Sequence, residues 1–211
     1  MPMTASNFPT SLKLTLAYEG GYSNHPRDPG AATMNGVTQA VYDDDRRDRR
    51  LPTRDVRLMT TAERDAIYRR RYWDMVRGDD LPLGVDYAVF DFAVNSGVRA
   101  ASRKLQEIVG AAVDGAIGPK TVEAVRAYVS SHGAVMLSDA VCSSRMAYLR
   151  SLDTFPTFGR GWTGRVMGSR DGRQFDDTGV IDRAAAMAKG GAVAAPRVAT
   201  STPKTYSAVV V

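Results

Sequence analysis

Two carboxyls and two hydroxyls stand close together in one punctuated stretch of the chain: Glu19, Asp28, Thr33 and Thr38. Gly20, Gly21 and Pro26 lie between the acids, and Pro29 and Gly30 follow the second. Proline and glycine at such spacing fix a reversal of the chain, which brings Asp28 back toward Glu19. Two carboxyls flanking a cleft are the equipment for glycoside hydrolysis: one protonates the leaving oxygen, the other activates water or stabilises positive charge on the sugar. Thr33 and Thr38 offer hydroxyls able to hold a water or a sugar.

The element that must position Glu19 is a helix. Phe8, Leu12 and Leu16 recur every fourth residue and predict a helix over residues 8–19 with one apolar face. Gly20 and Gly21 supply its stop. Glu19 then sits in the last turn, where the negative end of the helix dipole disfavours an ionised carboxyl. Partial burial pushes the same way. A carboxyl kept protonated near neutral pH is what a general acid needs. The plainer alternative is that Glu19 is an exposed helix-end residue and that Asp28 and Thr33 only cap turns.

The stretch from Tyr18 to Thr38 resembles the motif of glycoside hydrolase family 108, the phage- and secretion-associated N-acetylmuramidases, whose pattern runs roughly E-G-G-Y-x-N-D-P-x-D-P-G-G-x-T-x-x-G-I-T. The matching residues are Glu19, Gly20, Gly21, Tyr22, Asn24, Pro26, Asp28, Pro29, Gly30, Thr33, Gly36 and Thr38. His25, Ala31 and Met34 depart from it. The resemblance implies that Glu19 is the catalytic acid. The order Glu, Asp, Thr is also similar to that of phage-type lysozymes, with the second gap one residue shorter, and this implies supporting roles for Asp28 and Thr33. Tyr22, Asn24 and Thr38 become candidate substrate contacts.

Further along, Asp43 to Arg50 alternates in sign and is expected to be a solvated helix face or loop. Thr60 or Thr61 can cap a helix with Glu63 close behind. That helix is expected to run to about Val76, with Ile67, Tyr68, Tyr72 and Met75 on its apolar stripe. Trp73 is either a core aromatic or a ring on which a sugar stacks; the resembled family has a Tyr-Trp here. Residues 85–95 form a strongly apolar helix that is similar to the central helix of lysozyme-like folds. Its Asn95 is a candidate substrate contact. Asp91, if buried in it, must find a partner such as an arginine, and is the reserve second carboxylate.

In Val113 to Thr121, Asp114-Gly115 makes a turn and Pro119 starts a helix. The stretch resembles a small peptidoglycan-binding helical module, and equally suits a turn between core helices. Helices at 119–130 and 133–150 follow. Residues 155–166 are expected to be a glycine-rich loop whose Phe155, Phe158 and Trp162 plug the core, with Arg165 available to a buried acid. Beyond Gly168 the periodicity dissolves into a flexible tail, with a short helix at 181–189 as an option.

The net charge of +5 and a pI near 9.5 suit an anionic partner. No aromatic-and-basic cluster of a nucleic-acid binder appears, so bacterial peptidoglycan is the expected partner and nucleic acid is not. Cys142 stands alone and excludes an internal disulfide. With His25 and His132 as the only histidines, no metal and no cofactor is expected. No signal peptide or membrane span is expected. The protein is therefore expected to be made in the host bacterial cytoplasm, to act in the periplasm or wall, and to rely on a holin or a dedicated export system. It is expected to be a monomer.

The fold expected is all-α and lysozyme-like: a catalytic lobe over residues 1–84, a peptidoglycan-binding-like lobe over 85–168 packed on it, and a tail over 169–211. The activity expected is that of an endolysin-type N-acetylmuramidase. A lytic transglycosylase, or a non-catalytic wall-binding or virion protein, are the competing readings.

Overall fold

A computed structural model of the chain describes residues 6–19, 21–24, 32–168, 178–191 and 193. Helices dominate it. The first, α1 (Phe8–Leu16), is followed by two-residue strands β1 (Tyr22–Ser23), β2 (Thr33–Met34) and β3 (Val37–Thr38). Helices α2 (Gln39–Asp48), α3 (Thr61–Tyr68), α4 (Val85–Ser96), α5 (Val98–Val109), α6 (Pro119–His132), α7 (Ala134–Arg150), α8 (Phe155–Met167) and α9 (Val180–Ala188) complete the order. The fold is the mostly helical, lysozyme-like arrangement expected, with a small antiparallel sheet in the order β1-β2-β3 added. Met34 pairs with Val37 across Asn35-Gly36, both at positive φ. That is the two-residue hairpin turn that Asn-Gly favours. Among the described residues no helix is long and apolar enough to cross a membrane.

Helix α4 is the axle. Every residue from Val85 to Asn95 is buried, as expected of a helix that is apolar all round. Its Phe90 and Val94 join one core with Phe8, Leu12, Tyr42, Ile67, Tyr68 and Trp73. Its Val85, Val89, Phe92 and Ala93 join a second core with helices α5 to α9. The N-terminus of α1 is tied to the start of α4, where Asn7 Nδ2 donates to Asp86 Oδ2 at 3.0 Å.

Several local expectations are modified. Helix α1 ends at Leu16 with Ala17 as its C-cap, so Glu19 lies beyond the helix, its N–H donating to Leu16 O. Thr60 and Glu63 form a reciprocal capping box at α3. That helix does not run regularly to Val76, however: Arg69–Trp73 is a π-helical turn. The wider turn shifts the register of everything after it. Met75, expected on the apolar stripe, is consequently 57% exposed, and Trp73 is fully buried, the first of its two readings. In α2, Asp45 and Arg46 are buried within the charge run expected to be solvated. Arg46 Nη1 donates to Glu63 Oε1 at 2.9 Å, and Asp45 accepts from Arg70.

Two larger corrections concern the C-terminal part. The expected glycine-rich loop is helix α8. Gly159 is tolerated in it because the Phe155 ring fills the place of its side chain, 2.7 Å from where a Cβ would stand. Within the expected flexible tail the optional helix at 181–189 is present as α9, and it is packed, burying Val180, Ile181, Ala184 and Met187. It approaches α4 so closely that a Cβ on Gly84 would lie 2.2 Å from Ala184 O. Residues 169–177, 192 and 194–211 of that expected tail lie outside the described residues.

Candidate active site

Glu19 is 8% exposed and sits under the β2–β3 hairpin. A Cβ on Gly36 would lie 3.0 Å from Glu19 Oε2 and 2.4 Å from the Tyr68 hydroxyl. The turn thus needs glycine twice over, for its φ of +78° and for the space the carboxyl and the phenol occupy. Tyr68 pins the turn by donating from its hydroxyl to Asn35 O at 3.0 Å. The ring of Tyr72 lies 5.6 Å from that of Tyr68. Burial and the charge of Glu19 both push the two phenols up from their ordinary range.

The partner of Glu19 comes from the far end of the chain. Arg165 Nη1 on α8 donates to Glu19 Oε1 at 3.2 Å. The other two faces of the same guanidinium are committed elsewhere. Its Nε donates to Asp91 Oδ1 at 3.0 Å and its Nη2 to Asp91 Oδ2 at 2.9 Å. Asp91 also accepts from Arg145 Nη1 at 2.7 Å and from Thr15 Oγ1 at 3.0 Å. Arg145 Nη2 in turn donates to Asn95 Oδ1 at 2.9 Å. The expected pairings of Asp91 and Arg165 are therefore both present, and with each other.

The electrostatics of the two acids are opposite. Burial works against charge on Asp91, but Arg165 and Arg145 outweigh it and hold the carboxyl well below the usual range. Burial also dominates at Glu19, and there Arg165 offsets it only in part, so the Glu19 carboxyl is raised. A single long hydrogen bond from a shared guanidinium is a weaker counterweight than two arginines in close geometry. Asp91 is thus a permanently charged anchor, and Glu19 a group that can hold and release a proton.

Residue Tyr18 fixes the backbone next to the acid. Arg183 Nη1 of α9 donates to its hydroxyl at 2.6 Å, and the Arg165 guanidinium lies 4.9 Å from its ring centre. Helix α9, offered by the sequence only as an option at 181–189, therefore helps to set the position of Glu19.

The remaining candidates disperse. Asp28 lies outside the described residues, as does His25. Thr33 is in the central strand, paired with Ser23 and Thr38. Thr38 is the N-cap of α2, its hydroxyl accepting from Val41 N at 3.2 Å. Tyr22 is 45% exposed with Arg57 over its ring, and Asn24 is exposed. Asn95 is buried and held by Arg145. Trp73 offers no face to a sugar: it is fully buried between Phe8 and Phe90, and its Nε1 donates to Asp79 Oδ1 at 3.0 Å. It is a core residue, and the expected stacking role is corrected on that ground. Tyr68 and Arg145 escaped the sequence reading. A phenol on an apolar stripe, and an arginine one residue from the periodic Met146 and three from Cys142, were the available signals. Among the described residues no cluster of side chains is set to hold a metal ion.

Tyr72 also lines a groove of about 1310 Å³ that runs between α2 and the π-helical turn on one side and α4 and α5 on the other. The residue is shared between this groove and the electrostatic surroundings of Glu19.

Two family models match successive parts of the chain. The model of the family described as glycosyl hydrolase 108 matches residues 12–97, and that of a predicted peptidoglycan domain matches residues 100–167. The solved structure of SagA from Brucella abortus is 40% identical, with a TM-score of 0.72 over 88% of this chain and 98% of that one. No curated protein matches the chain.

Proposed function

We propose, for a chain that belongs to glycosyl hydrolase family 108 and is a glycoside hydrolase acting on peptidoglycan, that it is an N-acetylmuramidase with Glu19 as its general acid. The bond cleaved is the β-1,4 linkage between N-acetylmuramic acid and N-acetylglucosamine. The observation that carries this reading is the burial of Glu19 against a guanidinium that is mostly committed to Asp91. Burial raises the Glu19 carboxyl above its ordinary range, the direction a general acid requires.

In the reaction, protonated Glu19 delivers its proton to the glycosidic oxygen as the C1–O bond breaks. Positive charge develops on the sugar ring, and the ionised second acid, for which Asp28 is the candidate, stabilises it or activates water. A water held by Thr33 supplies the hydroxyl added at C1. Its proton leaves to the second acid, so that one water is consumed per bond cleaved. Residues 1–84 carry this chemistry, and 85–168 form the peptidoglycan-binding-like lobe. The biological role that fits is that of a phage endolysin, lysing cells from the periplasmic side after passage through a holin or a dedicated export route.

Mass spectrometry of digested peptidoglycan tests the reading. Products carrying one added water and a reducing muramic acid are expected. Anhydro-muramic acid ends make the protein a lytic transglycosylase, and glucosaminyl reducing ends place the cut at the other glycosidic bond. Either result overturns the assignment.

A further inference from the structure

The groove beside Tyr72 is not neutral. Six cationic side chains line it against three carboxylates. Arg99 and Arg103, one turn apart on α5, form one wall, and Arg70 and Arg71 of the π-helical turn form the other. Some of this charge is already used: Arg70 pairs with Asp45, and Lys104 Nζ meets Glu107 Oε2 at 2.7 Å. Arg71 and Arg99 have no ion-pair or hydrogen-bond partner among the described residues.

The arginines of α5 are also held in place. The turn at Asp114-Gly115 packs beneath them, and a Cβ on Gly115 would lie 2.9 Å from Arg99 Cγ and 3.3 Å from Arg103 Cγ. Arg103 Nη1 donates to Val113 O at 3.0 Å. The turn is itself fixed from within, since Gln106 Nε2 donates to Asp114 Oδ1 at 2.7 Å and Gln106 Oε1 accepts from Gly115 N at 2.9 Å. The stretch singled out as peptidoglycan-binding-like thus props two arginine stems at the mouth of a groove that reaches Tyr72. Propping lowers the entropy lost when a guanidinium engages a ligand.

We infer that this groove recognises the carboxylates of the peptides borne by the glycan strand, with Arg99 and Arg103 on one wall and Arg71 on the other. The inference rests on the muramidase reading and adds a substrate preference to it. Each muramic acid of peptidoglycan carries, through its lactyl ether, a peptide with free carboxylates. A guanidinium binds such a group with two parallel hydrogen bonds. A strand stripped of its peptides keeps only the one carboxylate of each lactyl ether, close against the sugar ring, whereas a peptide-bearing strand offers carboxylates that reach away from the ring and into the groove. The enzyme consequently prefers peptide-bearing strands to strands from which the peptides have been removed.

The test compares kcat/KM on peptide-bearing glycan strands with that on strands stripped by an amidase. The wild type should favour the peptide-bearing strands by about tenfold, the effect of two or three exposed ion pairs. The difference should lie in KM and shrink in high salt. In Arg99→Gln/Arg103→Gln, and separately in Arg71→Gln on the opposite wall, the ratio should fall toward one. A wild-type ratio of one, or variants that lose rate equally on both substrates, overturns the inference. So does an unchanged ratio accompanied by lost binding to duplex DNA, which marks the groove as a nucleic-acid surface. A wild type that cleaves both strands equally leaves the muramidase reading standing, whereas one that releases no muramic acid reducing ends from either removes that reading itself.

Discussion

Arg165 and Glu19, 146 residues apart in the chain, share one hydrogen bond of 3.2 Å inside a pocket where both are almost fully buried. Arg165 holds Asp91 with two further donors and leaves Glu19 only one. This division of one guanidinium between two acids holds the Asp91 carboxyl below its ordinary range and leaves that of Glu19 raised. It follows that Arg165→Lys, which retains a charge but loses the fork, should weaken the counterweight on Glu19. The Glu19 carboxyl should then rise further. The alkaline limb of the kcat/KM profile, which reports the free enzyme's acid, should move to higher pH in the variant. A limb that stays in place would show that Arg165 does not tune Glu19.

The raised Glu19 carboxyl also has a consequence for stability. The folded chain binds this proton more tightly than the unfolded chain does, so ionising Glu19 weakens the fold as pH rises from the unfolded pKa of 4.5 toward the higher folded value. Glu19→Gln removes the ionisation. Its melting temperature relative to wild type should therefore be higher at pH 8 than at pH 4. Thermal unfolding at the two values checks the sign.

Asp91 should behave in the opposite sense. Four hydrogen bonds from Arg165, Arg145 and Thr15 converge on it in a fully buried site. Asp91→Asn leaves two buried arginines short of a counter-charge and should cost about 3–5 kcal/mol in denaturant unfolding. Because the folded carboxyl is held below its ordinary value of 3.8, its contribution is complete above that pH and is lost only as the solution is acidified through the lower folded value.

Gly36 bears on both function and stability. A methyl group there falls 3.0 Å from Glu19 Oε2 and 2.4 Å from the Tyr68 hydroxyl. Gly36→Ala should displace the acid and lower kcat by roughly a hundredfold, the scale of a misplaced reacting group. The positive φ and the contact with the Tyr68 hydroxyl also cost stability, so kcat is compared at a temperature where the variant is folded. A variant with near wild-type kcat would place the sugar away from the hairpin.

Trp73 provides a check of the opposite kind. Trp73→Ala should cost about 3–5 kcal/mol in unfolding, as expected for a large core aromatic. Trp73→Phe should retain the wild-type KM on peptidoglycan. A large rise in KM in the phenylalanine variant would restore the sugar-stacking role.

What the sequence disclosed, and what it hid, follows the range of the interactions. The Thr60–Glu63 capping box, Pro119 at the start of α6 and the apolar length of α4 are local, and each was legible. The family was legible from the stretch around Glu19 because its glycines, prolines and acids are contiguous. The π-helical turn was hidden, since nothing in Arg69 to Trp73 marks an extra residue per turn, and one such turn moved Met75 off the apolar stripe. The three-stranded sheet was missed although Asn35-Gly36 is a hairpin signal, because strands of two residues show no alternation. Glycines at 159, 161 and 164 disguised α8, and an alanine-rich tail left α9 no more than an option. The network of Arg165, Asp91 and Arg145 joins residues 54 and 74 positions apart. A sequence can offer a buried acid and a spare arginine, but only the packed helices decide that they meet.

The proton on Glu19 is the centre of the account, and its removal by Glu19→Gln is the most direct trial. With purified peptidoglycan, reducing-end release by a variant whose melting temperature is at least that of wild type should fall by about a thousandfold or more. Release at the wild-type rate from that folded variant would contradict the assignment of Glu19 as the general acid.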